Sequence, residues 1–475
     1  MNYSDNEAIG VLYDRIWQLS PDYKNPESFD ALTLLTTELI EAYRATGRLD
    51  ADPFLSTQDR ILSIQEDKLN EKLSGQICLV TGGSGCVGSC LVEMLLRFDI
   101  ESVIVFDKKP FDNPLMHDDR LVFIEGNICD ELSLKSCFDH YHPNFVFHTA
   151  AQRSPGYAEN NVVEAIMDNV FGTLNVVRAC EETFSVKQCV FSSTGKASRY
   201  FTSEVYAATK KLCEFLLDAH SKNSHVLYSM VRFTHILDNS LMNIEFKDVD
   251  NADHFSIHSP GKYVTAQNVS EASCLMLNAL IHAQPDKSVF LIVKNLEWPV
   301  ESLEVALYNI LKNRKKIPVI FKGNPLGYRE GFFRGQLDWA EPHELNLLIN
   351  VYENRGKKVN DEEDIIISGI LPVSKQLLLT RLAEFKWSEN ESAARKWLMQ
   401  TLKTCVADSL KNVDSRDTLN ILKWGLDPNH PDLDEIHDDN FREIINLLAH
   451  TLIGTEEYKL VEKIIGGSKY ELNTH

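Results

Sequence analysis

The apolar positions change their period twice along the chain. Up to residue 74 they recur every three or four residues, as in "FDALTLLTTELIEAYRATG" and "TQDRILSIQEDKLNEKL", with no strand-like run between them. That spacing predicts amphipathic helices, an N-terminal helical extension over residues 1–74. At Gln76 the texture changes. Short β-rich runs ("QICLVTGG", "ESVIVFD", "RLVFIEGN", "NFVFHTAA", "QCVFSST", "VLYSMVRF") alternate with helix-length amphipathic segments, the pattern of an α/β fold with a doubly wound parallel sheet over residues 75–340. From about Trp339 strand-like runs mostly stop. Helix formers and acidic side chains then dominate ("SKQLLLTRLAEF", "ARKWLMQTLKTCVADSL", "NFREIINLLAHTLI"), which predicts a C-terminal helical domain over residues 341–475. With neither an internal repeat nor a low-complexity linker, both helical ends are expected to pack on the central domain or to join copies of the chain.

Size and charge narrow the partners. A chain of 475 residues, 44% hydrophobic, can bury a large core in two or three domains. Its 48 basic against 69 acidic side chains give a net charge of −21, which repels phosphate backbones and anionic lipid and argues against nucleic acid or a membrane surface as partner. The ten cysteines are scattered; Cys86 and Cys90 are not a CxxC pair, and no second pair completes a metal site. There is neither a signal-like start nor an apolar run of about 18 residues, so a cytoplasmic protein with reduced thiols is expected. The acidic stretch "DPNHPDLDEIHDD" lacks the glycine and terminal glutamate of a calcium loop and reads as a solvated connector.

The chemistry starts in "LVTGGSGCVGSCLVEMLL". Gly82, Gly85 and Gly88, with Cys86 and Val87 between them, fall where a predicted strand turns into a predicted helix. Glycines there allow a tight turn and close approach of a pyrophosphate to the helix N-terminus, as in a Rossmann-like dinucleotide site. Asp107 follows about 20 residues after Gly88 at the end of the next strand, where a carboxylate accepts from an adenosine ribose. It favours NAD; Lys108 and Lys109 beside it keep NADP open. Asn127 and Ile128 in "FIEGNICD" are candidates to border the adenine, and the small Ala150 and Ala151 to let backbone approach the nicotinamide.

A second constellation follows the fifth predicted strand, "CVFSST". Ser193 and Thr194 lie at its carboxyl end, the ligand side of such sheets. On the next predicted helix Tyr206 and Lys210, four apart, share one face. A phenol has a pKa near 10; a nearby ammonium and a cationic nicotinamide would favour the phenolate, making Tyr206 a base toward a sugar hydroxyl that Thr194 could orient.

Together these segments resemble the extended short-chain dehydrogenases/reductases acting on nucleotide sugars, and most closely the polysaccharide-biosynthesis branch of nucleotide-sugar 4,6-dehydratases. The resemblance covers roughly residues 76–340. It rests on "TGGSGCVG", "HTAAQRSPGYAENNVVEAIMDNVFGTLNVVRAC", "SSTGKA" with "VYAATKK", "MVRFTHILDNS", "FSIHSPGKYVTAQNVSEA" and "IFKGNPLGYREGFFRGQ". It implies a nucleotide sugar in a small C-terminal lobe over NAD(P), with Arg329 at the substrate diphosphate; Arg153, Ser193 and Lys262 are further candidate substrate contacts, and His258 either lines the sugar pocket or sits in a turn. It also implies hydride transfer from C4, with loss of water across C5 and C6 aided by an acid and a base.

Where the branch has an Asp-Lys pair for that water loss, this chain has Gly195-Lys196. Lys196 could still abstract the C5 proton, but the acid must come from elsewhere, Glu204 or substrate-bound water being the candidates. A 4,6-dehydratase is therefore the leading expectation, a C4 epimerase or reductase the alternative, and an NAD-binding scaffold with decayed catalysis the third.

Overall fold

The computed structural model describes residues 3–113, 117–239, 246–328, 330–387, 390–427 and 439–461. The chain divides into two compact units, each assembled from separated stretches of sequence.

The larger unit takes residues 62–233, 273–295 and 326–475. Its strands are β1 (Ile77–Thr81), β2 (Ser102–Asp107), β3 (Leu121–Glu125), β4 (Phe145–His148), β5 (Gln188–Thr194), β6 (Leu227–Phe233), β7 (Val289–Val293), β8 (Lys358–Val359) and β9 (Ile365–Ser368). They form one sheet in the order β8-β9-β7-β6-β5-β4-β1-β2-β3. All pairs from β7 to β3 are parallel, and β8 and β9 add antiparallel at the edge. The expected doubly wound α/β sheet is thus present. β1, β4, β5 and β6 are almost wholly buried, which is why they read as continuous apolar runs rather than alternations. The order reverses between β1 and β4, and the crevice at the carboxyl ends beside such a switch is where ligands bind in sheets of this kind.

β8 and β9 lie in the part of the chain expected to be helical. "DIIISG" is too short for its period to reveal a strand; pairing with β7 from Phe290↔Ser368 to Val293↔Ile365 makes it one.

The smaller unit takes residues 1–61, 234–272 and 296–325. The helices Tyr3–Leu19 and Pro26–Ala45 share one apolar core with the helix Ser302–Lys312 and the strands Phe255–Ile257 and Val319–Phe321, centred on Ile16, Leu35, Leu39, Phe255 and Leu307. Side chains of the two N-terminal helices also meet backbone N–H groups of that last strand: Thr36 Oγ1 accepts from Val319 N and Ser20 Oγ from Phe321 N, both at 2.9 Å. Among the described residues no helix is long and apolar enough to cross a membrane.

Candidate active site

The turn after β1 is built from backbone alone. Gly82 has φ +75°, and a Cβ there would stand 2.5 Å from Ala150 N, at the end of β4. A Cβ on Gly88 would stand 2.3 Å from Gly82 O. Only glycine permits both approaches. The helix Cys86–Leu95 starts after Gly85, whose backbone accepts from Ser89 N without any side-chain cap, so a helix N-terminus, the kind of place that attracts anions, lies at the turn. Asp107 is pinned across this turn, accepting from Ser84 N at 3.0 Å and Lys109 N at 2.9 Å. Each carboxylate oxygen keeps a lone pair for a ribose hydroxyl. The cradle therefore fits a dinucleotide. Lys108 does not lie free beside it: its Nζ pairs with Asp168 at 3.1 Å. Asn127 accepts from Cys129 N at 2.9 Å, and Ile128 is buried against Gly172 with its carbonyl held by Asn175 at 3.0 Å. Ala151 leads from β4 into the loop that carries Arg153.

Beside this cradle, β5 and the helix Val205–Ser221 bring the second constellation together. The Thr194 side chain and the charge of Arg153 are both near enough to Tyr206 to favour the phenolate. Burial prevails and pushes the phenol up to about 12. Lys210 is buried one turn further on, Nζ 4.3 Å from the Phe191 ring centroid, and burial lowers its ammonium to about 8. Below it His148 is bonded on both ring nitrogens, to Thr81 Oγ1 at 2.7 Å and Thr173 Oγ1 at 2.9 Å. Burial, then the Lys210 charge, holds it neutral with a pKa of about 3.

Ser193 is not part of this cluster. Neighbours on a strand face opposite sides, and its hydroxyl donates to buried Glu214 at 2.6 Å. Lys196 lies at the mouth of the turn after β5, ion-paired with Glu204 and 5.2 Å from the Tyr328 ring centroid; burial lowers its pKa. Arg329 lies outside the described residues, as do residues 428–438 of the acidic stretch. His258 and Lys262 belong to the smaller unit, where the charges of Lys262 and Lys322 add to burial in lowering the His258 pKa.

Three features of the site were not singled out in the sequence. Asn169 sits in a π-helical turn, Ile166–Phe171, of the kind that often marks functional positions. Its amide accepts from Gln152 N (2.8 Å) and donates to Gln152 O (3.1 Å) and Thr209 Oγ1 (2.9 Å), tying the loop after β4 to the catalytic helix. The second is Arg232 on β6, fully buried, with every guanidinium N–H satisfied: two bonds to Glu214 (2.8 and 2.7 Å), two to Glu353 (2.7 and 2.8 Å), and one to Leu348 O (2.9 Å). The third is Leu348 itself. A Cβ at Gly195 would stand 2.0 Å from Leu348 Cδ2, so the segment around residue 348 occupies the space in which a side chain at 195 would lie. Asn350 Nδ2 to Ser198 O at 2.9 Å fastens the same segment to the turn.

A family model described as "Polysaccharide biosynthesis protein" matches residues 78–331, more than half of the chain. The chain belongs to that family. The resemblance read in the glycine turn, the Tyr206 helix and the segments between them is thus confirmed at the level of family. Among relatives in the polysaccharide biosynthesis family and its neighbours, the capsular polysaccharide biosynthesis protein CapD of Staphylococcus aureus is 26% identical over 330 residues, covering 66% of this chain and 53% of CapD. The UDP-N-acetylglucosamine 4,6-dehydratase (inverting) of Campylobacter jejuni is 28% identical over 172 residues, 34% of this chain and 50% of that enzyme. This chain therefore spans about half the length of each. The solved structure of Pen from Bacillus thuringiensis has a TM-score of 0.53 at 20% identity, covering 62% of this chain and 87% of Pen, a likeness of fold.

Proposed function

We propose that this member of the polysaccharide biosynthesis family oxidises a nucleotide-activated sugar at C4 with NAD and, as a 4,6-dehydratase, then removes water across C5 and C6. The observation that carries the reading is the convergence at the carboxyl end of β5 of Thr194, the Tyr206 phenol close enough to feel it, and the buried Lys210 one turn further along the helix, beside the glycine cradle on the neighbouring strands. Gly82, Gly85, Gly88, the N–H groups of Cys86 and Val87, and Asp107 would hold the cofactor. NAD is favoured over NADP because Asp107 would face a 2′-phosphate and Lys108 is engaged by Asp168. When bound, NAD supplies the acceptor for the C4 hydride. Thr194 orients the C4 hydroxyl and Tyr206 takes its proton. The Lys210 ammonium, the Arg153 charge and the cofactor's own positive charge offset the burial that holds the phenol protonated. Lys262 and Lys322, near enough to His258 to add to burial in holding it toward its neutral form, supply positive charge within the smaller unit. The names of the relatives support UDP- or dTDP-hexoses as substrates.

A second reading, a C4 epimerase or reductase, is favoured by one observation: Leu348 fills the space beside Gly195, and neither reaction needs an acid at C6. Incubating the protein with NAD and a panel of UDP- and dTDP-hexoses in heavy water, then weighing the products, separates them. Loss of water with deuterium at C5 supports the dehydratase; an unlabelled isomer supports the epimerase. NAD binding without turnover would leave a scaffold.

A further inference from the structure

Position 195 is a glycine and carries no carboxylate, yet Lys196 is not left without one. Glu204 is the N-cap residue of the helix Val205–Ser221, but its side chain does not cap it. That duty falls to Glu159, whose Oε1 accepts from Val205 N at 2.8 Å while Oε2 is held by Arg395 at 2.6 Å. Relieved of capping, the Glu204 carboxylate turns toward the turn after β5. Oε1 accepts from Lys196 Nζ, and Oε2 from Arg199 Nη1 at 3.0 Å, with Arg199 braced on its other side by Glu330 at 3.0 Å. Only 4% of Glu204 is exposed, and its charge reaches the Tyr206 phenol two residues on. A buried carboxylate freed from a structural role and placed between the lysine of the elimination and the tyrosine of the oxidation is suited to proton transfer.

We propose that Glu204 is the acid of the water elimination, working with Lys196 as base. This rests on the 4,6-dehydratase reading above. In the elimination one proton passes along the Lys196 Nζ–Glu204 Oε1 hydrogen bond, leaving an amine and a carboxylic acid. Beside the C4 ketone, the amine takes the C5 proton. The electrons of the C5–H bond form the C5–C6 double bond as the C6–O bond breaks, and Glu204 gives its proton to the departing hydroxyl, which leaves as water. The pair ends as the ammonium and carboxylate it began as, and the sugar has lost one hydrogen and one hydroxyl with no oxidant consumed in this step. Burial already lowers the Lys196 pKa toward the free amine, with Glu204 opposing it.

The test uses the full chain with NAD and either UDP-N-acetylglucosamine or dTDP-glucose in heavy water, comparing wild type with Glu204→Gln, Glu204→Asp and Lys196→Met. Glu204→Gln should still bind NAD, still give the near-ultraviolet signal of C4 oxidation and still exchange deuterium into C5, while water loss falls by about a hundredfold or more; Glu204→Asp should recover part of it. Lys196→Met should lose both exchange and water loss. In the ligand-free protein, NMR of ¹³C-labelled lysine should show Lys196 titrating at lower pH in Glu204→Gln. Water loss in Glu204→Gln within about threefold of wild type would overturn the proposal. A wild-type protein that gives no C4 oxidation signal would overturn the dehydratase reading and the proposal with it.

Discussion

The two ends of the site, both on the same sheet, are made of different materials. The cofactor end is a matter of backbone: Gly82 against Ala150 N, Gly88 against Gly82 O, and Asp107 held by two main-chain N–H groups. The catalytic end is a matter of side chains from distant stretches, with Arg232, Glu214, Glu353 and Leu348 beneath β5 and Glu159 and Arg395 at the head of the Tyr206 helix. A site made mostly of backbone constrains few side chains beyond its glycines and the Asp107 carboxylate. A side-chain-made site depends on supports drawn from several stretches, and the Leu348 side chain over Gly195 is one of them.

The contrast can be tested from its largest expected effect downward. On the proposed function Tyr206→Phe removes the group that takes the C4 proton; C4 oxidation should fall by about 10²–10⁴-fold, with NAD affinity by calorimetry unchanged. If NAD binding fell equally, the two ends would not be separable. Glu353→Ala leaves the fully buried Arg232 without half of its carboxylate contacts, and a loss of about 3–5 kcal/mol is expected in urea unfolding. Gly82→Ala forces a side chain into the left-handed region and against Ala150 N; about 1–3 kcal/mol of strain should appear mainly as weakened NAD binding. His148 gives an effect that appears only as a slope with pH. Its folded pKa of about 3 lies below the ordinary 6.5, so between these values the unfolded chain binds the extra proton. The His148 contribution is fully present above pH 6.5 and is lost as pH falls toward 3, at about 1.4 kcal/mol per pH unit. The difference in slope between wild type and His148→Gln measures it.

The same contrast decides what was legible in the sequence. The glycine turn, Asp107 and the Tyr206/Lys210 spacing are local patterns whose residue types are dictated by geometry within a few positions, and the parallel sheet follows from its apolar runs. Ser193 was read as a substrate contact because it adjoins Thr194, although the two-residue period of a strand turns the pair to opposite faces. Asn169 lay inside a recognised segment, but its role depends on a π-helical turn that side-chain spacing does not announce. The Arg232–Glu353 pair is 121 residues apart and Tyr43–Glu301 is 258 apart, so no window could join them. For the same reason periodicity alone did not show that the N-terminal helices share a core with residues 302–321, or that "DIIISG" completes the sheet.

The claim that the catalytic turn is shaped by the segment at residue 348 can be tested without knowing the substrate. In a double-mutant cycle on unfolding free energy, Gly195→Ala in wild type must push the buried Leu348 aside and should cost about 1–3 kcal/mol. Leu348→Ala leaves a cavity that the new methyl partly fills, so in that background Gly195→Ala should cost nothing or stabilise, a coupling of about 1 kcal/mol or more. Strictly additive costs would contradict the account, because Leu348 would then not be what keeps position 195 a glycine.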